Sequence, residues 1–496
     1  MRLSRLQTWA IIVAVMIIAV AGVYRLFGLR GGMTRDIAGY LYAGQHVAEG
    51  VPPYVSIFTH KGPLSPLLIG ASIAAGRLIH LDDIYAARLV FMGVGLLAVL
   101  STALLASDLL RSQRAFLLAG FAMLTFLGLT HHATSGPDPK LPMLPFQALA
   151  LLLTARRRWF WAGVCGALVA LVWQPMGIYI IVAFILACLR PRQERLRAAG
   201  LVVAGGLIPT ALIVAYFAYM RALPALADGY VVFNVLYLER GSATFGQHLW
   251  VIADRVIRSY RIALPIVLLG FAAMIGLWPW RRRRAGSWKA ALTTDPFAPV
   301  LLTFPLPIIW SLKDFQGPAD FFVFIPYCAL GVAVLGELGL QALERRQVSP
   351  LIVRAILAGA CVGMFVGGAL DARAGRNTTL DAQRDSAAML RARFGDNMRV
   401  LSLERPEPLV LLHKTQPDPF LWSRAGFDRY IQVRYPGGFA GLLEGYKRFD
   451  PDVVGILSEH VIRPQYHDEL LAWLKAGYVK EQFGLWVVYY RKGLGK

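Results

Sequence analysis

Pro63-Leu64-Ser65-Pro66-Leu67-Leu68-Ile69-Gly70-Ala71-Ser72-Ile73-Ala74-Ala75-Gly76-Arg77-Leu78-Ile79-His80 decides how the whole chain is threaded. Eleven other stretches are apolar and are counted here as membrane spans: 8–27, 84–107, 115–131, 141–155, 160–173, 176–189, 198–219, 261–280, 297–312, 321–341 and 350–370. If 64–80 also crossed, every later loop would change sides. The basic runs Arg156-Arg157-Arg158 and Arg281-Arg282-Arg283-Arg284 would then face outward, against the bias that keeps Lys and Arg in short cytoplasmic loops. Pro63 and Pro66 also break the stretch. It is therefore read as an interfacial helix, and all the basic runs then fall on one side.

Composition supports this class. Hydrophobic residues make up 56% of 496, and mean hydropathy is +0.52. A bilayer span takes roughly 20 apolar residues, and several runs reach that length. Fifty-one Lys+Arg against 30 Asp+Glu leave a net charge of +21. In a soluble protein that excess would suggest nucleic acid. Here its runs abut apolar segments, as Arg190-Pro191-Arg192 also does, which fits the cytoplasmic-side bias instead. Cys165, Cys188, Cys328 and Cys361 lie inside apolar segments at spacings that suggest neither disulfides nor a metal site. The apolar stretch from Thr8 to Phe27 is long for a cleaved signal peptide and reads as a retained first helix with a cytoplasmic start.

The expected architecture is a polytopic α-helical membrane protein of about 11 spans, residues 1–371. Interfacial helices occupy its first outer loop, about 28–83. Residues 372–496 are expected to form a small extracytoplasmic α/β domain, because helical and strand patterns alternate there. Asp385–Phe394, Phe439–Phe449 and Ile462–Ala476 read as helices, and Arg399–Leu403, Val453–Leu457 and Gln482–Tyr490 as strands. Four features then share the outer side with this tail: the first loop, the loop 132–140, the loop 220–260, and Lys313-Asp314. Between 160–173 and 176–189, Trp173-Gln174-Pro175 breaks the helix, and freed backbone groups at such depth must face protein or water.

Chemistry concentrates on that side. Asp36 is the first carboxylate after the first span, and a carboxylate in reach of an acceptor hydroxyl is a competent general base. Arg35 and Lys61 favour its charged form. The structural alternative is a cap on the helix that follows, and a carboxylate at a helix start can do both. Residues 37–50 have the amphipathic spacing of a helix lying on a bilayer, and Pro52-Pro53-Tyr54 reads as an extended link. Lys61, beside His60, either holds a phosphate or snorkels to lipid. The 220–260 loop offers Asn234, Tyr237, Glu239, Arg240 and Arg258, and arginines outside are candidates for gripping a lipid phosphate. Asp138, between prolines, is a second acid or a turn residue. Neither nucleotide-binding glycine motifs nor HExxH or CxxC are present, so no cofactor is expected and a divalent metal has no support.

The run from Arg35 to Pro66 resembles the first extracytoplasmic loop of the GT-C superfamily of membrane glycosyltransferases. The similar branch includes protein O-mannosyltransferases, lipid A aminoarabinose transferases and enzymes described as dolichyl-phosphate-mannose mannosyltransferases. Its pattern appears here as Asp36, Tyr40, Gly50, Pro53-Tyr54 and Lys61-Gly62-Pro63. Gly166–Pro175, Phe233-Asn234 with Tyr237, and Asp320–Pro326 resemble later family segments, with Trp173 in place of a Lys. Where many relatives carry Asp after the Pro-Tyr, this chain has Ser56, and Ile37 stands where some have Glu.

The resemblance implies a transferase that moves mannose or another hexose or pentose from a polyprenyl- or dolichyl-phosphate donor to a glycan, lipid or protein acceptor, with inversion. It implies Asp36 as the base. Arg35, Tyr40, Tyr54, His60, Lys61, Asn234, Tyr237, Arg258 and Lys313 are the expected substrate- and lipid-phosphate-binding residues. Membrane lipids, not nucleic acid, are the surroundings, and the plasma or inner membrane is the location. A non-catalytic scaffold subunit, or a transporter of lipid-linked sugars, is the alternative. A transporter predicts inverted repeats and mid-membrane ionisable residues, and neither is seen in the sequence.

Overall fold

The computed structural model describes residues 4–238, 245–313, 315, 317–373, 379–422, 426–456 and 464–494. All eleven apolar segments are helical. Six helices are long and apolar enough to cross a membrane: Arg5–Phe27, Asp83–Leu110, Arg192–Tyr219, Leu249–Arg283, Ala319–Arg345 and Pro350–Leu370. A seventh span arises if Gln113–Leu124 and Leu129–Ser135, bent by 62°, count as one. The remaining segments are shorter. Met143–Ala155 has 13 residues and rises about 20 Å, less than a hydrocarbon core. These short helices pack among the long ones, so the eleven segments counted as spans divide into long helices and shorter ones between them.

Four helices frame the first loop: α1 (Arg5–Phe27), α2 (Arg35–Ala48), α3 (Leu64–Leu78) and α4 (Asp83–Leu110). The decisive stretch is α3, and it packs between α2 and α4. The first loop therefore begins at the end of α1 and returns at the start of α4, both at one end of the bundle. The basic runs collect at the other end. Arg156 meets Asp108 at 2.6 Å, Arg114 meets Glu337 at 2.8 Å and Glu344 at 2.6 Å, and Arg281 meets Asp295 at 3.4 Å. Arg157 and Arg190 both donate to the Thr293 carbonyl.

We expect the tail end to face outward. A cysteine at Val433, 62% exposed in the tail, should react with a membrane-impermeant maleimide on intact cells, and one at Arg157 should be protected. The native cysteines give little background: all are free, and three are buried. The reverse labelling pattern would invert the orientation.

The tail folds around a four-stranded sheet in the order β1-β2-β4-β3. β1 (Val400–Leu403) pairs in parallel with β2 (Val453–Ile456). β3 (Tyr478–Phe483) and β4 (Trp486–Arg491) form an antiparallel hairpin, and β4 also pairs with β2. The sequence reading of Gln482–Tyr490 as one strand is corrected here, because Gly484 at φ +56° turns the chain inside it. Two helices were not foreseen, Glu407–Leu412 and Phe427–Arg434; both are under three turns, too short for a clear period.

The tail is docked. Its core takes in Phe58 from the first loop and Phe233 from the 220–260 region. Phe58 stacks on Tyr430 at 4.3 Å, and Phe233 lies 4.7 Å from Phe427. Gln383 exchanges two hydrogen bonds with the Met33 backbone, and Arg384 pairs with Asp82 at 3.1 Å.

One buried tail carboxylate carries a pH consequence. Asp418 accepts from the Phe420 N–H at 2.7 Å, while its Oδ2 has no hydrogen-bond partner. Burial pushes its pKa up from 3.8 to about 7. As pH rises from about 4 to 7 the unfolded chain gives up this proton and the folded one keeps it. Stability therefore falls across that window and levels off above it, by at most about 4 kcal/mol for a shift of roughly three units. Asp418→Asn should flatten that slope in denaturation measured between pH 5 and 8; an unchanged slope would assign it to other groups.

Candidate active site

The site is built on the start of α2. Thr34, extended at φ −79° and ψ 163°, is the N-cap, and its hydroxyl accepts from the Ile37 N–H. This overturns the reading of Asp36 as the cap. Asp36 lies in the first helical turn, where a negative charge is favoured by the helix dipole. Its side chain is 67% exposed and meets Arg35 Nε at 3.3 Å. Arg35 also reaches back to the buried Glu404 of the tail at 2.5 Å. The base candidate thus stands at the seam between the helical bundle and the tail.

The picture of α2 lying on lipid is also corrected. Ile37 to His46 are all buried, because the tail covers the face that would have met lipid. The Tyr42 hydroxyl accepts from the Gln416 N–H at 3.2 Å, and Gln45 donates to the Val410 carbonyl. Trp422 packs on Gly39 so closely that a Cβ there would fall 2.7 Å from its ring.

From α2 the chain runs through a turn, not the extended link expected of Pro52-Pro53-Tyr54. Tyr54 adopts φ +67° and is buried, and its hydroxyl donates to the Lys61 carbonyl at 2.7 Å. Tyr40 and Thr59 share a hydrogen bond at 3.0 Å, and Thr59 Oγ1 accepts from the Lys61 N–H. The His60 carbonyl accepts from Gln174 and Asn234, both at 2.9 Å. Gly62 lies against the helix break at 172–174: its N–H donates to the Val172 carbonyl, and a Cβ there would stand 1.9 Å from the Leu171 oxygen. Only glycine fits, which gives a steric reason for Lys61-Gly62-Pro63.

Two distant segments, those of Gln174 and Asn234, thus converge on the His60 backbone, while Tyr54 and Thr59 hold Lys61 from within the same turn. Gln174 belongs to the 3₁₀ turn Gln174–Gly177 between two helices, as the proline break foretold. Asn234 comes from a wide i→i+5 helix, Ala227–Tyr237, a geometry frequent at functional sites. Tyr237 from the same helix meets Tyr430 of the tail at 5.2 Å. The His60 ring lies 6.0 Å from both Phe233 and Phe427, and both its nitrogens are shielded without a hydrogen-bond partner. Burial, with the charges of Lys61 and Lys140, holds its pKa well below the ordinary imidazole value, so His60 is neutral.

Beside this turn lies a set of ionisable groups that sequence reading only partly found. Asp138 is buried, and its carboxylate accepts from the Lys140 N–H at 2.8 Å and lies 2.8 Å from His132 Nδ1. Burial would raise its pKa; the His132 ring, the Lys140 N–H and the Lys140 charge reverse that and hold it below its ordinary value. Lys140 is buried too, paired with Asp320 and 4.2 Å over the Trp173 ring. The sequence reading assigns Lys140 no role. Its position at the edge of an apolar segment was the available signal.

Two expected phosphate ligands stay apart from this set. Arg258 is 78% exposed and bridges to Asp254 on its own helix, and Lys313 is exposed near Trp310. Among the described residues no contact ties either to the Asp36 loop. Glu239, Arg240 and Asp314 lie outside the described residues. No group of three or more His, Cys, Asp or Glu that could hold a metal occurs among those described.

Fold and site together define a polytopic helical membrane protein whose exposed carboxylate stands between the bundle and a docked α/β tail. The chain matches no protein-family model, and no curated relative matches it. Among solved structures it is similar to ArnT from Cupriavidus metallidurans in the apo state, at 16% identity and TM-score 0.61, over 98% of this chain and 98% of that one. It is similar also to ArnT from the same organism bound to undecaprenyl phosphate, at 14% identity and TM-score 0.62, over 99% and 100%. At this identity the likeness establishes the fold: the chain has the fold of ArnT along nearly its whole length.

Proposed function

We propose that this chain is an integral membrane glycosyltransferase that takes a sugar from a polyprenyl-phosphate carrier and passes it to an acceptor on the outer face of the membrane. The observation that carries the reading is Asp36. It is an exposed carboxylate at a helix start, held by Arg35, beside a turn whose Lys61 backbone is fixed by Tyr54 and Thr59. The fold likeness to a protein bound to undecaprenyl phosphate supports the donor class.

In this reading Asp36 takes the proton of the acceptor hydroxyl as its oxygen attacks the anomeric carbon. The bond from that carbon to the phosphate oxygen breaks, and the lipid phosphate leaves with its electron pair. Attack from the face opposite the leaving group inverts the carbon. Lys61 is the cation proposed to stabilise the departing phosphate. The sugar is a hexose or pentose, and the acceptor is a glycan, lipid or protein. The N-terminus is proposed to be cytoplasmic, with residues 372–496 forming an outer domain.

Purified protein offered a panel of polyprenyl-phosphate sugars, with and without a divalent-metal chelator, tests this. Release of polyprenyl phosphate coupled to acceptor glycosylation is expected. No turnover with any donor, across lipid, glycan and protein acceptors, would favour a scaffold role.

A further inference from the structure

At the end of the bundle opposite Asp36 a cavity of about 950 Å³ opens between helices, lined by Arg5, Arg111, Arg114, Arg156, Asp108 and Trp9 among others. The chain length separates it from the proposed catalytic site. Arg5 begins α1, whose 23 residues rise about 35 Å to the first loop, and Arg111 follows α4, whose 28 residues rise about 42 Å. The cavity is one bilayer thickness from Asp36, at the depth of the other leaflet's headgroups.

Its charges are only partly satisfied. Arg156 is paired with Asp108, and Arg114 with Glu337 and Glu344. Arg5 and Arg111 are exposed, and neither has a carboxylate partner among the described residues. The α4 helix ends there with Arg111 in the left-handed region at φ 52°, which turns the chain sharply into the Ser112 cap of the next helix. One wall is apolar: Leu104 lines it, and Trp9 packs edge-on against Phe116 at 5.6 Å. Arginine forks suit phosphate oxygens, and aromatic side chains are favoured at the headgroup level.

We infer that this cavity binds the phosphate of an anionic lipid headgroup from the leaflet opposite the catalytic site, with Arg5 and Arg111 as its open ligands. Basic pockets between membrane helices are suited to such headgroups. The lipid would tie α1 to α4 at their ends remote from the reaction.

Native mass spectrometry of the full chain, released from mixed phosphatidylglycerol and phosphatidylcholine, tests this. The wild type should retain phosphatidylglycerol preferentially. Arg5→Gln with Arg111→Asn should lower that retention roughly thirtyfold, the effect of removing two cations near an anionic surface. Arg5→Lys with Arg111→Lys should restore most of it, which separates lost charge from misfolding. Arg354→Gln, an exposed charge outside the cavity, should change little. Equal retention by wild type and the uncharged double variant would overturn the site. Inorganic phosphate binding to lipid-free protein, lost in that variant and without phosphatidylglycerol preference, would overturn the lipid in favour of a soluble anion.

Discussion

Asp36→Asn removes sugar transfer by a factor of about 10² to 10⁴, the span associated with a positioned general base, while the protein still folds and inserts. The separation of the two effects follows from the geometry. The Asp36 side chain is 67% exposed and supports no buried partner, so its charge contributes to folding chiefly through the helix dipole. That contribution is at most about 1 kcal/mol. Asn keeps the size and hydrogen-bonding shape but cannot take a proton at neutral pH. The measurement is release of polyprenyl phosphate by wild type and variant at matched amounts of folded protein. Unchanged turnover would move the base elsewhere, with the buried Asp138 the next carboxylate to test. An equal loss of folded protein would mean that Arg35, freed from Asp36, had disturbed its contact with Glu404.

Lys140→Met destabilises the protein by about 3–5 kcal/mol, the cost of breaking a buried ion pair from one side. Lys140 and Asp320 are both buried, so neither charge is well hydrated when the other is lost. The second substitution decides the cause. Lys140→Met with Asp320→Leu removes both charges and should recover at least half of the lost stability, since an apolar pair of similar volume replaces an ion pair at little cost. The check is a double-mutant cycle of unfolding in detergent. Additive losses would show that the two side chains act through separate contacts. Trp173, under the Lys140 ammonium, adds a further readout: Trp173→Leu should cost up to about 2 kcal/mol, the upper range for a desolvated cation–π contact, beyond the volume change.

Much of the site was legible in the chain. Asp36, Tyr40, Tyr54, His60 and Lys61 lie within 26 positions, so one short stretch of sequence marks them all as candidates. Asn234 and Gln174 were also visible as candidate or resembling positions, although their shared target, the His60 carbonyl, was not. Arg258 and Lys313 show the limit. A basic residue in an expected outer loop satisfies the composition argument equally well whether it faces a substrate or, like Arg258, the preceding turn of its own helix.

The sequence by itself determined the class of the protein, the helical nature of every apolar segment, and the gathering of basic runs at one end. These are properties of windows of about 20 residues, where transfer free energy and the cytoplasmic-side bias act on composition alone. Tertiary structure alone decided what covers α2, where Arg35 finds its second carboxylate, and which acid neutralises Lys140. Glu404 is 369 positions from Arg35, and Asp320 is 180 from Lys140. No local period carries such pairs, because they arise only when packing excludes water from both partners and leaves each ionised group to be satisfied by whatever the fold has placed beside it.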